Sequence, residues 1–411
     1  LIARIALFDL DEVLIRPGGY RRAFRETMRY FYRKMDAEAL APGETLPEYL
    51  EQDGINSEWD MVPLCLAIYL ESCLGLVTEY PSLPDLPTAL DWARQWRGQG
   101  LQVDYIAQAA LLAPIIRRDK EELGIPVWRS LHQHTRTLLP KLAEHSLYDE
   151  LLGYNRQIER SWTMRVFQNF LLGEHQYQQT YSLLPEVNAV SCLEQYDQPL
   201  LEQKLRDEIL AMAQRKELFV AAFTARPSLP PRGVEDTLNG YSPEAETALR
   251  ILGLECLPIT ALGRLNYLGA QRGVSTESLL KPALVHALAA IAAAWTGEEL
   301  PALQLAYEFA HPNGGNPVSP ATGTDNWLKR CGLPDEAEIH IFEDSPSGLL
   351  AGERATSLIN RSGGDYRLFK WGIAGKPEKA AYLKALGATV FADCNTAIRH
   401  AFGIPPVAGA D

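Results

Sequence analysis

No run of apolar residues long enough to cross a bilayer occurs in the sequence. The longest, from Ala283 to Trp295, contains His286 and falls short of a spanning helix. Nothing near the start combines a charged segment with an apolar one, so no secretory signal is expected; the opening Leu1 in place of Met leaves room for a trimmed leader or tag. Cysteine is sparse. The six (Cys65, Cys73, Cys192, Cys256, Cys331, Cys394) are scattered with no CxxC pair, which reads as reduced, mostly buried thiols of an intracellular protein. Basic residues are outnumbered, 39 Lys and Arg against 52 Asp and Glu, and the formal net charge of -13 excludes a general attraction to nucleic acid or to an anionic membrane. A local basic pocket for a small anion stays open. Internal repeats are absent, and the sequence carries no mark of oligomeric state. The expectation is a soluble, cytoplasmic protein whose 411 residues suffice for two domains.

What is present is organised around the stretch from Ile5 to Leu14. An apolar run without helical period ends abruptly in two carboxylates, Asp9 and Asp11. The run predicts a buried strand, and in an open α/β sheet ligands bind at the ends of such strands. Alternation along a strand sends Asp9 and Asp11 to one face, flanking one small volume. Adjacent carboxylates repel unless a cation lies between them or one is protonated. That is a motive for metal binding, and for one Asp to act as nucleophile while the other moves a proton. Alone, such a pair also suits a solvated loop or a helix cap, so the rest of the chain decides.

After the Pro17 and Gly18 break, Tyr20, Ala23, Phe24, Thr27, Met28, Phe31 and Met35 recur at helical spacing, with Arg21, Arg22, Arg25, Arg29 and Arg33 on other faces. Those arginines suit either a grip on an anion or a solvated helix face. From about residue 20 to about residue 200 almost nothing reads as strand; helical periods run from Leu86 to Arg97, Val127 to Ala143 and Asp149 to Leu171. This predicts an all-helical domain, residues 19–204, inserted into a doubly wound parallel-sheet core of residues 1–18 and 205–411. A loop inside the insertion carries Asn56, Trp59 and Asp60, an aromatic plate with polar hooks that suits substrate contact; a helix start with Trp59 packed in the core is the alternative. His132 and His134, two apart on a helix, face apart and are not expected to share a metal.

The sheet resumes with Leu218 to Thr224, a strand ending in a hydroxyl and followed by Arg226. A helix from Ala245 to Leu252 and a short strand between Cys256 and Leu262 follow. Lys281 precedes Pro282, which suits a first helical turn. Residues 311–324, rich in Pro and Gly, predict a flexible loop. The run from Glu338 to Glu343 and Asp344 again ends a strand in two carboxylates before a Ser/Gly turn, and further strands are expected at Thr356–Asn360 and Ala388–Ala392, separated by a helix from Glu378 to Leu386. Parallel strands would bring Asp9, Asp11, Thr224, Lys281, Glu343 and Asp344 to one edge. Such a set suits phosphoryl transfer: carboxylates for Mg2+, a hydroxyl and an ammonium for phosphoryl oxygens, and a carboxylate to attack phosphorus.

In order and wording these motifs resemble the haloacid dehalogenase-like superfamily, in the branch with a helical cap after the first strand. The matching pieces are Asp9 and Asp11 with Val13, then Thr224, then Lys281 with Pro282, then Glu343 and Asp344 with the turn from Ser345 to Gly348. The likeness covers about residues 1–18 and 205–411. It implies a Rossmann-like core and a Mg2+-dependent phosphomonoester hydrolase acting on a small phosphorylated metabolite. It implies that Asp9 carries an aspartyl-phosphate, that Asp11 is acid and then base, and that Thr224 and Lys281 bind the phosphoryl group. Mg2+ would be held by Asp9, Asp344 and the backbone of Asp11, with Glu343 as ligand or support. Arg226, Asn56, Trp59 and Asp60 are the candidates for touching the leaving group. One departure is Glu12, where the family has Gly; it places bulk and charge beside the site unless the side chain turns away. A phosphomutase of the same superfamily, or a non-catalytic binding module on its scaffold, is the competing reading.

Overall fold

The computed structural model describes residues 2–79, 81–96, 101–123, 125–235, 240–311 and 327–405. The expected loop at 311–324 lies outside these from residue 312 onward; His311 is the C-cap of the helix Glu299–Ala310. The chain divides into two units, Leu1–Pro17 with Asp197–Asp411, and Gly18–Tyr196. The return to the first unit comes earlier than the expected residue 205. The reason is local pairing: β2 (Ile15–Arg16) and β3 (Gln198–Pro199) form an antiparallel two-stranded ribbon that closes the chain onto itself.

In the first unit, β1 (Ala3–Phe8), β4 (Phe219–Phe223), β5 (Ile259–Thr260), β6 (Glu336–Glu343), β7 (Asp365–Ile373) and β8 (Thr389–Phe391) form one parallel sheet in the order β5-β4-β1-β6-β7-β8. Both faces are covered, which is why β1 runs apolar from Ile5 to Phe8, all four buried, rather than alternating with polar residues. Ile5 and Leu7 belong to the core with the helices Leu284–Thr296 and Pro346–Arg361, while Ala6 and Phe8 belong to the core with Gln203–Gln214, Glu244–Leu252 and Cys394–Phe402. Each such Ile, Leu or Phe contributes roughly 1.5–3 kcal/mol by burial.

Strand order reverses at β1. The chain goes to β4 and β5 on one side and then to β6, β7 and β8 on the other. Such a reversal opens a crevice at the carboxyl ends of the strands. Register puts Phe8 beside Ala222 and Phe342, so the residues that follow each strand emerge side by side.

Two local expectations are corrected. Thr356–Asn360 is not a strand but the end of the helix Pro346–Arg361, whose Leu349, Gly352, Ala355, Thr356 and Ile359 form its buried face at helical spacing. The strand lies later, as β7, entered through Gly363 and Gly364. Pro282 does not sit in a first helical turn: that helix starts at Leu284, with Ala283 as its N-cap.

The unit Gly18–Tyr196 is helical, with no strand among its described residues. Its centre is the helix Glu58–Leu74, in which Leu64, Leu66, Tyr69 and Leu70 are all fully buried; a helix apolar all round must be enclosed. The periods expected to run to Ala143 and from Asp149 to Leu171 are broken. One helix ends at Leu138, just before Pro140. The other starts only at Trp162, where Ser161 Oγ accepts the Met164 amide at 3.1 Å.

Candidate active site

Each candidate in the first unit emerges where the sheet ends. The amide of Asp9 donates to Phe342 O at 3.0 Å, one residue past the last residue of β1. Glu343 closes β6, and Asp344 follows. Thr224 follows β4, and its amide donates to Thr260 O at 3.1 Å. Lys281 arrives from the segment before the helix Leu284–Thr296.

The Lys281 ammonium stands between two carboxylates, 3.2 Å from Asp9 Oδ1 and in close contact with Glu343 Oε1. It also lies 4.2 Å from the centre of the Phe223 ring, whose face favours a cation. Asp9 Oδ1 accepts the Leu10 amide at 2.9 Å. Glu343 is fully buried, and its Oε2 accepts from Ser345 N at 3.0 Å and Ser345 Oγ at 2.7 Å. Asp344 pairs closely with Lys379. Gly348 makes this arrangement fit: a Cβ there would lie 1.8 Å from Glu343 Oε1.

His286 braces Lys281 from behind. Its Nδ1 accepts the Lys281 amide at 3.2 Å and its Nε2 donates to Thr260 O at 3.0 Å, a neutral tautomer fixed by its two partners. Burial, and then the Lys281 charge, push its pKa down to about 3.

Crowded charge shifts the neighbouring groups. Burial lifts the Asp9 carboxyl, Lys281 pulls it back, and Asp344 and Asp11 lift it further, for a net rise. Burial and Asp9 push Glu343 up to about 7 against the pull of Lys281. Burial and Glu343 push Asp344 up to about 6 against Lys379. Burial alone would lower the Lys281 pKa, but Asp9 and Glu343 outweigh it and the net direction is up.

Oxygens of Asp9, Glu343 and Asp344 lie within 4.8 Å of one another. That is a set of hard donors for a divalent cation. Because Lys281 and Ser345 already engage both Glu343 oxygens, Asp9 and Asp344 are the better placed ligands, with Glu343 holding the lysine.

Asp11 stands apart from this cluster. It does not continue the strand; it lies in a turn in which the amides of Leu14 and Ile15 both donate to Leu10 O at 2.9 Å. Its carboxylate is held by Arg226, with Nε at 2.9 Å from Oδ1 and 3.0 Å from Oδ2, and Nη2 at 2.5 Å from Oδ1. Arg226 is buried and reaches Asp197 as well, Nη1 to Oδ2 at 2.9 Å. Glu12 has φ of 58° and is exposed, so this position of the turn has the left-handed backbone that Gly adopts freely.

In the helical unit, Asn56 is exposed. Trp59 is buried in the core, and Arg156 stacks over it at 5.7 Å. Asp60 is buried and accepts from Asn155 Nδ2 at 2.8 Å and Arg156 Nη2 at 2.6 Å. The arginines of the helix Gly19–Lys34 are neutralised within the unit: Arg21 by Glu51, Arg22 and Arg29 by Glu26, Arg25 by Glu44, and Arg33 by Glu38. His132 and His134 pair with different carboxylates, Asp149 and Asp119.

Asp197, His286 and Lys379 have no place in the motifs read from the sequence, whereas Ser345 and Gly348 stand there as the ends of the turn after Glu343 and Asp344. What the structure adds is the work of that turn: Ser345 donates to Glu343, and Gly348 leaves room for its carboxylate. Asp197 and Lys379 are joined to the site only by folding.

No protein-family model matches the chain, and no curated protein matches it. Among solved structures it is similar to target ZR25 of the Northeast Structural Genomics Consortium, at 15% identity and a TM-score of 0.53, over 96% of this chain and 97% of that one. It also aligns with phosphatase Tt82 from Thermococcus thioreducens at 14% identity and a TM-score of 0.41, over 94% of this chain and 100% of that one. The first is a likeness of fold. The second is too loose to carry an argument.

Proposed function

We propose that the chain is a Mg2+-dependent phosphomonoester hydrolase of the haloacid dehalogenase type, acting in the cytoplasm on a small phosphorylated metabolite. In this reading the unit Gly18–Tyr196 is the cap that selects the leaving group. One observation supports it above the others. Three carboxylates and a lysine converge where the parallel sheet reverses its strand order, and a strand-end threonine emerges along the same edge.

Asp9 is the nucleophile. Its Oδ1 is tied to Lys281 and to the Leu10 amide, which leaves Oδ2, among the described residues, for attack on phosphorus. As the Asp9–phosphorus bond forms, the ester oxygen leaves and takes a proton from Asp11. Asp11 then accepts a proton from the water that attacks the aspartyl-phosphate, which frees Asp9 and releases inorganic phosphate. The Asp11 Oδ2 atom, held by a single 3.0 Å contact, is the one suited to carry that proton. Thr224 Oγ1 accepts the Arg226 amide at 3.2 Å, so its own proton remains for a phosphoryl oxygen. Lys281 places positive charge at the same group. Mg2+ bound by Asp9 and Asp344 would offset the repulsion between these carboxylates and the phosphate dianion.

The exposed Glu12 side chain supports the catalytic reading over a non-catalytic one. The test is phosphate release from a panel of sugar, nucleotide and amino-acid phosphates, with Mg2+ and with EDTA, beside Asp9→Asn. Mg2+-dependent turnover abolished by the substitution is expected. Turnover that survives Asp9→Asn would overturn the assignment.

A further inference from the structure

We propose that Arg226 is a positioning residue that sets the orientation of Asp11, and so governs how far each substrate depends on a donated proton. The inference rests on the phosphatase reading above and deepens it.

Asp11 has to hold its carboxylate at one place through two proton transfers, yet it lies on a turn beyond the end of β1, and its side chain is 36% exposed. Nothing in the turn itself fixes it. The guanidinium does so from the opposite side. It is itself only 1% exposed and engages both Asp11 oxygens through Nε and Nη2, while Nη1 reaches the buried Asp197 at 2.9 Å.

The base of Arg226 is equally constrained. Its amide donates to Thr224 Oγ1 at 3.2 Å, and its carbonyl accepts the Leu262 amide at 3.1 Å. The two carboxylates are brought to it from segments far apart in sequence. The amide of Leu200 donates to Leu14 O at 2.8 Å, and Ile15 pairs with Pro199, so the Asp11 turn and the Asp197 segment are tied together.

One cation between two carboxylates leaves the cluster with excess negative charge, so simple charge balance does not account for it. A rigid fork with donors in three directions does. A lysine would preserve the charge but could not span Asp11 and Asp197 with the same geometry.

The experiment compares wild type, Arg226→Lys, Asp11→Asn and the double variant on p-nitrophenyl phosphate and glycerol 2-phosphate. The first has a leaving group that departs without help; the second needs a proton. Because hydrolysis of the aspartyl-phosphate also uses Asp11 and is common to both substrates, the comparison is made in kcat/KM, which reports the leaving-group step. Arg226→Lys is expected to lower it about tenfold or more on glycerol 2-phosphate and far less on p-nitrophenyl phosphate. In the Asp11→Asn background it is expected to cost nothing further, because the group it positions is gone. If Arg226→Lys fails to fold, Arg226→Gln combined with Asp197→Asn removes the cation and its buried counter-charge together, and the same substrate split is expected. An equal loss of kcat/KM on both substrates and in both backgrounds overturns the inference while leaving the phosphatase reading intact. A wild type that hydrolyses no phosphomonoester overturns the phosphatase reading and this inference with it.

Discussion

Gly348 is the position where a single methyl group should dismantle the site. The Cβ of an alanine there would lie 1.8 Å from Glu343 Oε1, 2.2 Å from Cδ and 2.6 Å from Cγ, all well inside contact distance. Glu343 cannot yield easily, being fully buried and bound to Lys281, Ser345 N and Ser345 Oγ. Either the first turn of the helix Pro346–Arg361 moves or the carboxylate leaves its donors. Overpacking a filled site costs about 1–3 kcal/mol, and a hydrogen bond to a charged group is worth about 1.5–3 kcal/mol. Gly348→Ala is therefore expected to destabilise the first unit by about 3 kcal/mol, a drop in Tm of roughly 6–12 °C for a unit of this size. Thermal unfolding followed by circular dichroism measures it. In a Glu343→Ala background the clash disappears, so the second substitution should cost less than about 1 kcal/mol. A Gly348→Ala protein within about 0.5 kcal/mol of wild type, or an equal penalty in both backgrounds, would refute the reasoning.

Two further outcomes are expected. Glu343 and Asp344 have pKa values near 7 and 6, above their ordinary values of 4.5 and 3.8. Between the unfolded and folded values the native state therefore holds more protons than the unfolded one, and stability falls as pH rises through that window. Without Mg2+ the Tm should fall between about pH 4 and about pH 7. Added Mg2+ should raise it most at the upper end, because the cation favours the ionised carboxylates; a uniform Mg2+ increment across this range would count against the cluster as its site. In the helical unit, Asp60→Ala leaves Arg156 without the carboxylate it grips and Asn155 Nδ2 with only the Trp59 carbonyl, at 3.2 Å, to accept from it. A loss of about 2–4 kcal/mol in that unit is expected from chemical denaturation, and an unchanged midpoint would contradict the pairing.

Much of the candidate site was legible in the sequence because its parts lie at strand ends. Apolar runs that stop at Asp9, at Thr224 and at Glu343 mark both an element and the edge where its next residues emerge. The sheet was less legible. The β7 strand mixes Arg367 and Lys370 with Leu368 and Trp371, and its only clear signal was the Gly363 and Gly364 turn before it. Thr356 to Ile359 looked like a strand because β-branched residues favour one, but helical packing against the sheet overrode that preference. Partners set by tertiary structure left no local trace: Asp197 and Lys379 acquire meaning only once Arg226 and Asp344 are in place. The same holds for Asp11, whose strand-like alternation with Asp9 gives way to a turn.

The central claim is that Asp9 forms a covalent bond to phosphorus. Acid-quenching the protein during turnover of p-nitrophenyl phosphate with Mg2+, followed by peptide mass mapping, tests it most directly. Asp11→Asn slows hydrolysis of the intermediate and should enrich it. The peptide containing Asp9 is predicted to gain the mass of one phosphoryl group, and to lose that gain in Asp9→Asn. Turnover with no phosphorylated peptide in either wild type or Asp11→Asn, or a phosphoryl group found on another residue, would contradict the account.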